Sequence, residues 1–258
     1  MLKGLYTAYT AMVNEQHRMD TMTNNLANAS TVGFKKEGAT SQCFKEVLTA
    51  KIKDASAGHF GAEIIGWNNP GVKIGENYTD YTQGSFRITD NTYDLALSGD
   101  GFFAIEFTNK AGETSTMYTR AGQFTLNREG YLVTEDGDYV LDTQSRRIRL
   151  NTLLDSKIGK DGTIYQNDTA VARIGLTDFE DYDYLEKYGE TYYRPIEGAR
   201  TTQANAEINS GYLEMSNVQV VSEMVNLIAI TRNYESSQKI IQTYDGSLEI
   251  AATQLGRV

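Results

Sequence analysis

Residues 216–255 read SNVQVVSEMVNLIAITRNYESSQKIIQTYDGSLEIAATQL. Every seventh position from Val220 is apolar or aromatic: Val220, Leu227, Tyr234, Ile241, Leu248 and Leu255. Three residues beyond the middle four stand Ile230, Ser237, Tyr244 and Ala251, a weaker second column, and Glu223 is its one charged intruder. No proline interrupts the run. The spacing predicts a long helix carrying an a/d seam over about five heptads. Ser216 followed by Gln219 fits a capping box at its start. Arg232, Glu235, Lys239, Asp245 and Glu249 supply a charged outer surface.

The other end of the chain mirrors this pattern. Leu5, Met12, Met19 and Leu26 also fall seven apart, with Leu2, Tyr9, Gln16 and Thr23 as the second column. Asn28 to Gly33 ends the helix, because polar residues compete with the helical backbone and Gly33 tolerates positive φ. The sequence thus predicts an α+β chain, with terminal coiled-coil-like helices paired from both ends and a mainly-β domain inserted between them. So narrow an apolar seam needs partners along its whole length. The shorter N-terminal helix covers part of it, and other copies of the chain are expected to cover the rest.

Between the helices the period changes. Residues 42–53 carry Phe44, Val47, Leu48 and Ile52 at spacings that suit a short helix, and Asp54 to Gly61 reads as a flexible loop. From Val72 apolar residues alternate, and strand-like runs alternate with turn signals at a step of about ten residues, with turns at Asn109–Gly112, Asn127–Gly130, Glu135–Asp138 and Asp161–Gly162. That rhythm predicts an all-β body. Thr201 to Ser210 reads as irregular. The expected limits are 1–36 for the N-terminal helix, 37–71 for a connecting segment, 72–210 for the β domain and 211–258 for the C-terminal helix.

The totals narrow the function classes. The chain has 258 residues and a net charge of −10, which argues against nucleic acid as a partner. No run approaches the ~18 apolar residues of a membrane span. Residues 1–10 lack the continuous apolar core and cleavage site of a Sec-type signal peptide. A single cysteine, Cys43, excludes an internal disulfide.

NNLANASTVGFK (24–35) resembles the N-terminal signature of the bacterial flagellar axial proteins, the rod and hook family. SGDGFF (98–103) resembles that family's central glycine–aromatic motif, and YTRAGQF (118–124) and GYLVT (130–134) resemble the strands after it. SNV (216–218), EMVNLI (223–228), RNYE (232–235), Lys239, Thr243 and Asp245 are similar to its C-terminal helix. Ser237 and Ala121 depart from the family's usual Asn and Asp. The resemblance implies a structural subunit of the flagellar basal body, exported unfolded through the hollow axis by the type III apparatus. It implies assembly with copies of itself and with other rod and hook proteins. The terminal helices would form an inner tube that lines the channel, and the β domain an outer one. Leu5, Met12, Met19, Leu26, Leu227, Tyr234, Ile241, Leu248 and Leu255 are the expected assembly interface. Asn24, Asn25, Asn28, Gly33 and Phe34 form the motif after the first helix, with Gly33 as hinge. The length is that of a rod rather than a hook subunit, and the stretch between Phe34 and Pro70 resembles the insert of the distal rod protein.

The residues carry no phosphate-binding Gly-Lys-Ser/Thr loop, no His-Glu-x-x-His and no Gly-x-Ser-x-Gly elbow. His17 and His59 lack a second-ligand motif for a metal, so neither metal nor cofactor is expected. Cys43 with either histidine is a formal thiol nucleophile, but a buried or incidental cysteine is the simpler reading. Asp178, Glu180, Asp181 and Asp183 beside Phe179, Tyr182 and Tyr184 leave one alternative to a structural role, a β domain that binds or hydrolyses cell-wall glycan. A solvated face or subunit contact explains the same residues.

Overall fold

The computed structural model describes residues 2–52, 62–110 and 112–255. The fold is α+β, with a helix at each end of the chain and a β-rich middle. Two compact units divide it: Met1–Leu26, Glu37–Asp80 and Val220–Val258 make the first, Ala27–Lys36 and Tyr81–Gln219 the second.

The first unit holds both helices and two ribbons. Helix α1 spans Leu2–Ala27 and α2 spans Val220–Leu255. Strand β1 (Glu37–Cys43) pairs antiparallel with β4 (Val72–Thr79), and β2 (Val47–Ile52) with β3 (Ala62–Asn68). The short helix expected over 42–53 is therefore absent. Val47, Thr49 and Ile52 are β-branched, and cross-strand pairing with Ile64 and Trp67 outweighs a helical spacing of apolar residues. Strand β4, which the sequence rhythm joined to the β body, belongs with the helices. The loop expected at Asp54–Gly61 lies outside the described residues.

The inward face of α1 is polar. Thr10, Asn14, Thr21 and Asn25 recur at helical spacing and are buried. Asn14 donates to Ser41 Oγ at 2.9 Å, and Thr7 Oγ1 donates to the Pro70 carbonyl at 3.2 Å. The Asn25 amide accepts from Glu37 N–H at 2.9 Å and donates to Glu37 C=O at 2.7 Å, standing in for a neighbouring strand at the start of β1. These bonds satisfy backbone that would otherwise be buried unpaired. The apolar column Leu5, Met12, Met19 and Leu26 is half-buried on a different face. Of the second column expected on α1, Tyr9, Gln16 and Thr23 are exposed in a single copy, and of Leu2 only the helical backbone is described.

On α2 the heptad arithmetic reproduces the covered line. Ile230 is buried, and Leu227, Tyr234, Ser237, Ile241, Tyr244, Leu248 and Ala251 are half-buried, flanked almost throughout by exposed residues. Val220, at the helix start, is exposed, and the Leu255 side chain lies outside the described residues. Tyr244 meets Gly4 so closely that a Cβ there would strike its hydroxyl, which brings the start of α1 beside the later half of α2. The expected capping box is also corrected: α2 starts at Val220, and Ser216 Oγ instead accepts from Val218 N–H at 3.3 Å in the approach to the helix.

The second unit is built from β5 (Phe86–Ile88), β6 (Leu95–Ser98), β7 (Phe102–Thr108), β8 (Thr114–Thr119), β9 (Phe124–Leu126), β10 (Leu132–Thr134), β11 (Tyr139–Val140) and β12 (Ser156–Ile158). It continues through β13 (Thr163–Gln166), β14 (Thr169–Arg173), β15 (Leu176–Phe179), β16 (Leu185–Tyr188), β17 (Tyr192–Pro195), β18 (Thr201–Gln203), β19 (Glu207–Ser210) and β20 (Tyr212–Glu214). The main sheet runs β16-β17-β8-β7-β11-β10-β9, with β15 on β7 and β18 on β15. All four turns expected from sequence join neighbouring strands. In two of them Gly130 N–H bonds Asn127 C=O at 3.0 Å, and Gly137 N–H bonds Thr134 C=O at 3.1 Å. Thr201 to Ser210, expected irregular, contributes β18 and β19.

Leu97, Phe103, Phe124, Leu132, Ile164 and Ile208 belong to the main core, all at most 1% exposed. A second cluster gathers Phe102, Phe179, Leu185 and Tyr193, with Tyr81, Tyr118 and Tyr182 packed against it edge-on or tilted. The tyrosine-rich stretch after Asp178 is thus partly core. Phe103→Ala should lower the stability of the β unit by about 3–5 kcal/mol, read by urea denaturation followed through far-UV circular dichroism.

Candidate assembly interface and its junction

The segments that leave α1 and enter α2 meet inside the second unit. Gly33 sits at φ 70°, and its N–H donates to Glu214 C=O at 2.8 Å. A Cβ there would collide with the Arg120–Ala121 backbone, so only glycine fits this approach. The residue expected as a hinge is held on both counts. Phe34 is fully buried, with Lys187 Nζ 3.9 Å from its ring centroid.

Lys35 follows, 1% exposed, and its Nζ lies 2.7 Å from Glu214 Oε1 and 2.8 Å from Thr82 C=O. Arg120 Nη1 reaches Glu214 Oε2 at 3.4 Å, and the guanidinium lies over the Phe102 ring. Gly84 N–H also donates to Glu214 Oε1, at 3.0 Å. One carboxylate therefore joins four pieces of chain. Three residues beyond Glu214, Asn217 accepts from Lys36 N–H at 2.8 Å and donates to Thr82. Of the asparagines in the motif, Asn25 and Asn28 are buried, Asn28 accepting from Thr31 Oγ1 at 3.0 Å, while Asn24 is exposed. Sequence reading quoted Lys35 and Arg120 within motifs without giving either this role, and did not single out Glu214. The available signal was an acidic residue in a strand whose other members, Tyr212 and Leu213, are apolar.

Apolar surface remains uncovered on the first unit. Val221, Met224, Val225 and Ile228 form an exposed stripe along the first turns of α2. On the β2–β3 ribbon Leu48, Ile64, Ile65 and Trp67 are exposed, Trp67 to 70%. Contiguous surface of this kind marks a contact site.

The acidic cluster is engaged locally. Asp178 Oδ1 accepts from Tyr182 Oη and from Phe179 N–H, both at 2.8 Å, and Asp181 caps the turn Tyr182–Tyr184. Among the described residues no three His, Cys, Asp or Glu side chains are placed to hold a metal. Cys43 is exposed rather than buried, His17 is half-buried, and His59 lies outside the described residues. Tyr192 Oη lies 3.0 Å from Asp136 Oδ2 and 3.1 Å from Asp138 Oδ2. Burial pushes the Asp138 carboxyl above its ordinary range, aided by the Asp136 charge and opposed by hydrogen bonds from Tyr192 and the Thr108 backbone.

A terminal helix with an uncovered apolar stripe, and a β unit whose acidic cluster at 178–183 serves its own turn, suit a structural subunit. Three family models match along the chain: "Flagella basal body rod protein" at residues 5–35, "Flagellar hook protein FlgE/F/G D1 domain" at 96–166 and "Flagellar basal body rod FlgEFG protein C-terminal" at 209–255. The flagellar basal-body rod protein FlgG of Bacillus subtilis (strain 168) is 36% identical, covering 96% of this chain and 97% of its own length. The flagellar basal-body rod protein FlgF of Caulobacter vibrioides (strain ATCC 19089 / CIP 103742 / CB 15) is 35% identical over the whole of both. The flagellar hook-basal body complex protein FlhO of Bacillus subtilis (strain 168) is 31% identical over the whole of both. The chain belongs to the flagellar basal-body rod protein family. It is a structural component of the hook–basal body complex, and no helix among the described residues is long and apolar enough to cross a membrane.

Asp138 has a raised folded-state pKa, so its contribution is present in full below about pH 4 and is lost as pH rises through that raised value. At neutral pH the ionised group disfavours the fold. Asp138→Asn should therefore be more stable than the parent at pH 7, with the advantage shrinking toward pH 4, in urea titrations at both values.

Proposed function

We propose that this chain is a distal-rod subunit that builds a hollow drive shaft by packing its terminal seams against neighbouring copies. The shaft transmits torque and lines the export channel. Its partners are further copies, adjoining rod and hook proteins and the export apparatus. The observation that carries this reading is the apolar surface a single copy leaves in water: the Val221–Ile228 stripe, the half-covered heptad line and the β2–β3 ribbon. A 36-residue helix with apolar side chains on more than one face gains little as a lone surface helix and much inside a bundle.

The seam residues Leu5, Met12, Met19, Leu26, Leu227, Tyr234, Ile241, Leu248 and Leu255 are the interface in this proposal. The distal assignment is supported by the ribbon inserted after β1. Its exposed Leu48, Ile64 and Trp67 suit a lateral contact that stiffens the shaft. The relatives include both FlgG and FlgF at similar identity, so the ribbon rather than overall similarity carries the choice.

Trp67 is the chain's one tryptophan and therefore a direct reporter. On assembly, followed by sedimentation, its emission should shift to the blue and resist quenching by iodide. An unchanged, fully quenchable emission in sedimented tubes would remove the ribbon from the interface. Ile241→Ala should cost the assembled state about 2–5 kcal/mol while the β unit of the free chain melts unchanged. A matching loss in the free β unit would show that Ile241 serves the monomer instead.

A further inference from the structure

The early strands of the second unit have their partners at its far end. Among the described residues β5 pairs with β20, and β6 with β19. Leu95 and Leu97 of β6 are fully buried, as are Ile208 and Leu213 on the returning strands. The segment after α1 ends on the same stretch, through Gly33 to Glu214 C=O, Lys35 to the Glu214 carboxylate and Lys36 to Asn217. Three pieces from the front of the chain are thus all completed by residues 207–217. The rest of the unit is local by comparison. Short turns join β7 to β8, β9 to β10, β10 to β11, β12 to β13 and β13 to β14.

Loop-closure entropy orders such contacts. A hairpin orders a few residues before its first cross-strand bond forms, whereas β6–β19 encloses the whole intervening sheet. The Lys35–Glu214 pair spans 179 positions. Desolvating Lys35 and Arg120 is unfavourable in itself, and the carboxylate that joins them comes with β20.

We propose that residues 207–217 are a closing segment: the β unit stays open at 33–36, 84–88 and 95–98 until β19 and β20 dock, and Glu214 seals the closure. A chain synthesised amino end first then cannot complete its β unit until position 217 of 258 has been made, just short of α2. The inference rests on strand pairing and burial within one unit and is independent of the rod assignment.

Pulse-labelled hydrogen exchange during refolding of the full chain tests it. The β7–β8 and β9–β11 amides should gain protection first. Leu95 N–H bonds Gly122 C=O, so the amides that report closure are those facing 207–217: Gly33, Lys36, Thr89, Ala96 and Ser98. They should gain protection later, in one phase shared with 207–214. Protection of Ala96 and Ser98 in the hairpin phase, or of Gly33 and Lys36 before 207–214, would overturn the proposal. Glu214→Gln keeps the shape and removes the charge, and it should slow the closing phase by about tenfold or more while sparing the hairpin phase. Equal slowing of both phases, or of neither, would deny Glu214 its sealing role. If that variant does not fold, Leu213→Ala serves instead with the same expectation, and labelling of the parent chain decides the order of events without any substitution.

Discussion

One buried carboxylate holds the connections of this protein together. Glu214 has no solvent exposure, and it touches Lys35, Arg120 and the Gly84 N–H. Ions leave water at a cost of several kcal/mol each, so such a group persists only where its lone pairs are filled. Removing one partner of a buried pair commonly costs about 3–5 kcal/mol. Whole domains are stable by only about 5–15 kcal/mol. The arrangement is therefore a specificity device more than a source of net stability. It admits one register for the strand that approaches α2 and one path for the chain that leaves α1.

The first unit works by a different rule. Its polar contacts are inside and much of its apolar surface is outside. On α1 Thr7, Asn14 and Asn25 bond the strands and the segment beside them, with Asn25 closing the end of β1 through both atoms of its amide. Side-chain amides do well in this place because they match the donor and acceptor of a strand edge. Apolar side chains such as Val221, Met224, Val225 and Ile228 are consequently left exposed on α2.

Local features were legible in the sequence, and non-local ones were not. The a/d count on α2 found Leu227, Tyr234, Ile241 and Leu248 because a covered helical line recurs within a few residues. The Asn-to-Gly turns were legible because a hairpin turn fixes its own chemistry. The same heptad count gave no sign of the polar stripe that α1 buries, Thr10, Asn14, Thr21 and Asn25, since it scores apolar positions. Residues 42–53 were misread because the strand that pairs with Val47–Ile52 begins only at Ala62, and that pairing outweighs local spacing. Nothing near Glu214 or Arg120 announces the other, 94 positions away. An ion triad of this sort becomes visible only once the sheet has brought its members together.

The bond from Lys36 N–H to the Asn217 side chain has an architectural consequence. It places the exit from the first helical segment and the entrance to the last one at the same doorway. Asn217 also holds Thr82, so residues 83–216 are a detour that returns to its starting point, whereas the ribbons at 37–80 belong with the helices. Such a detour can lengthen or shrink while its two ends stay fixed at one threshold.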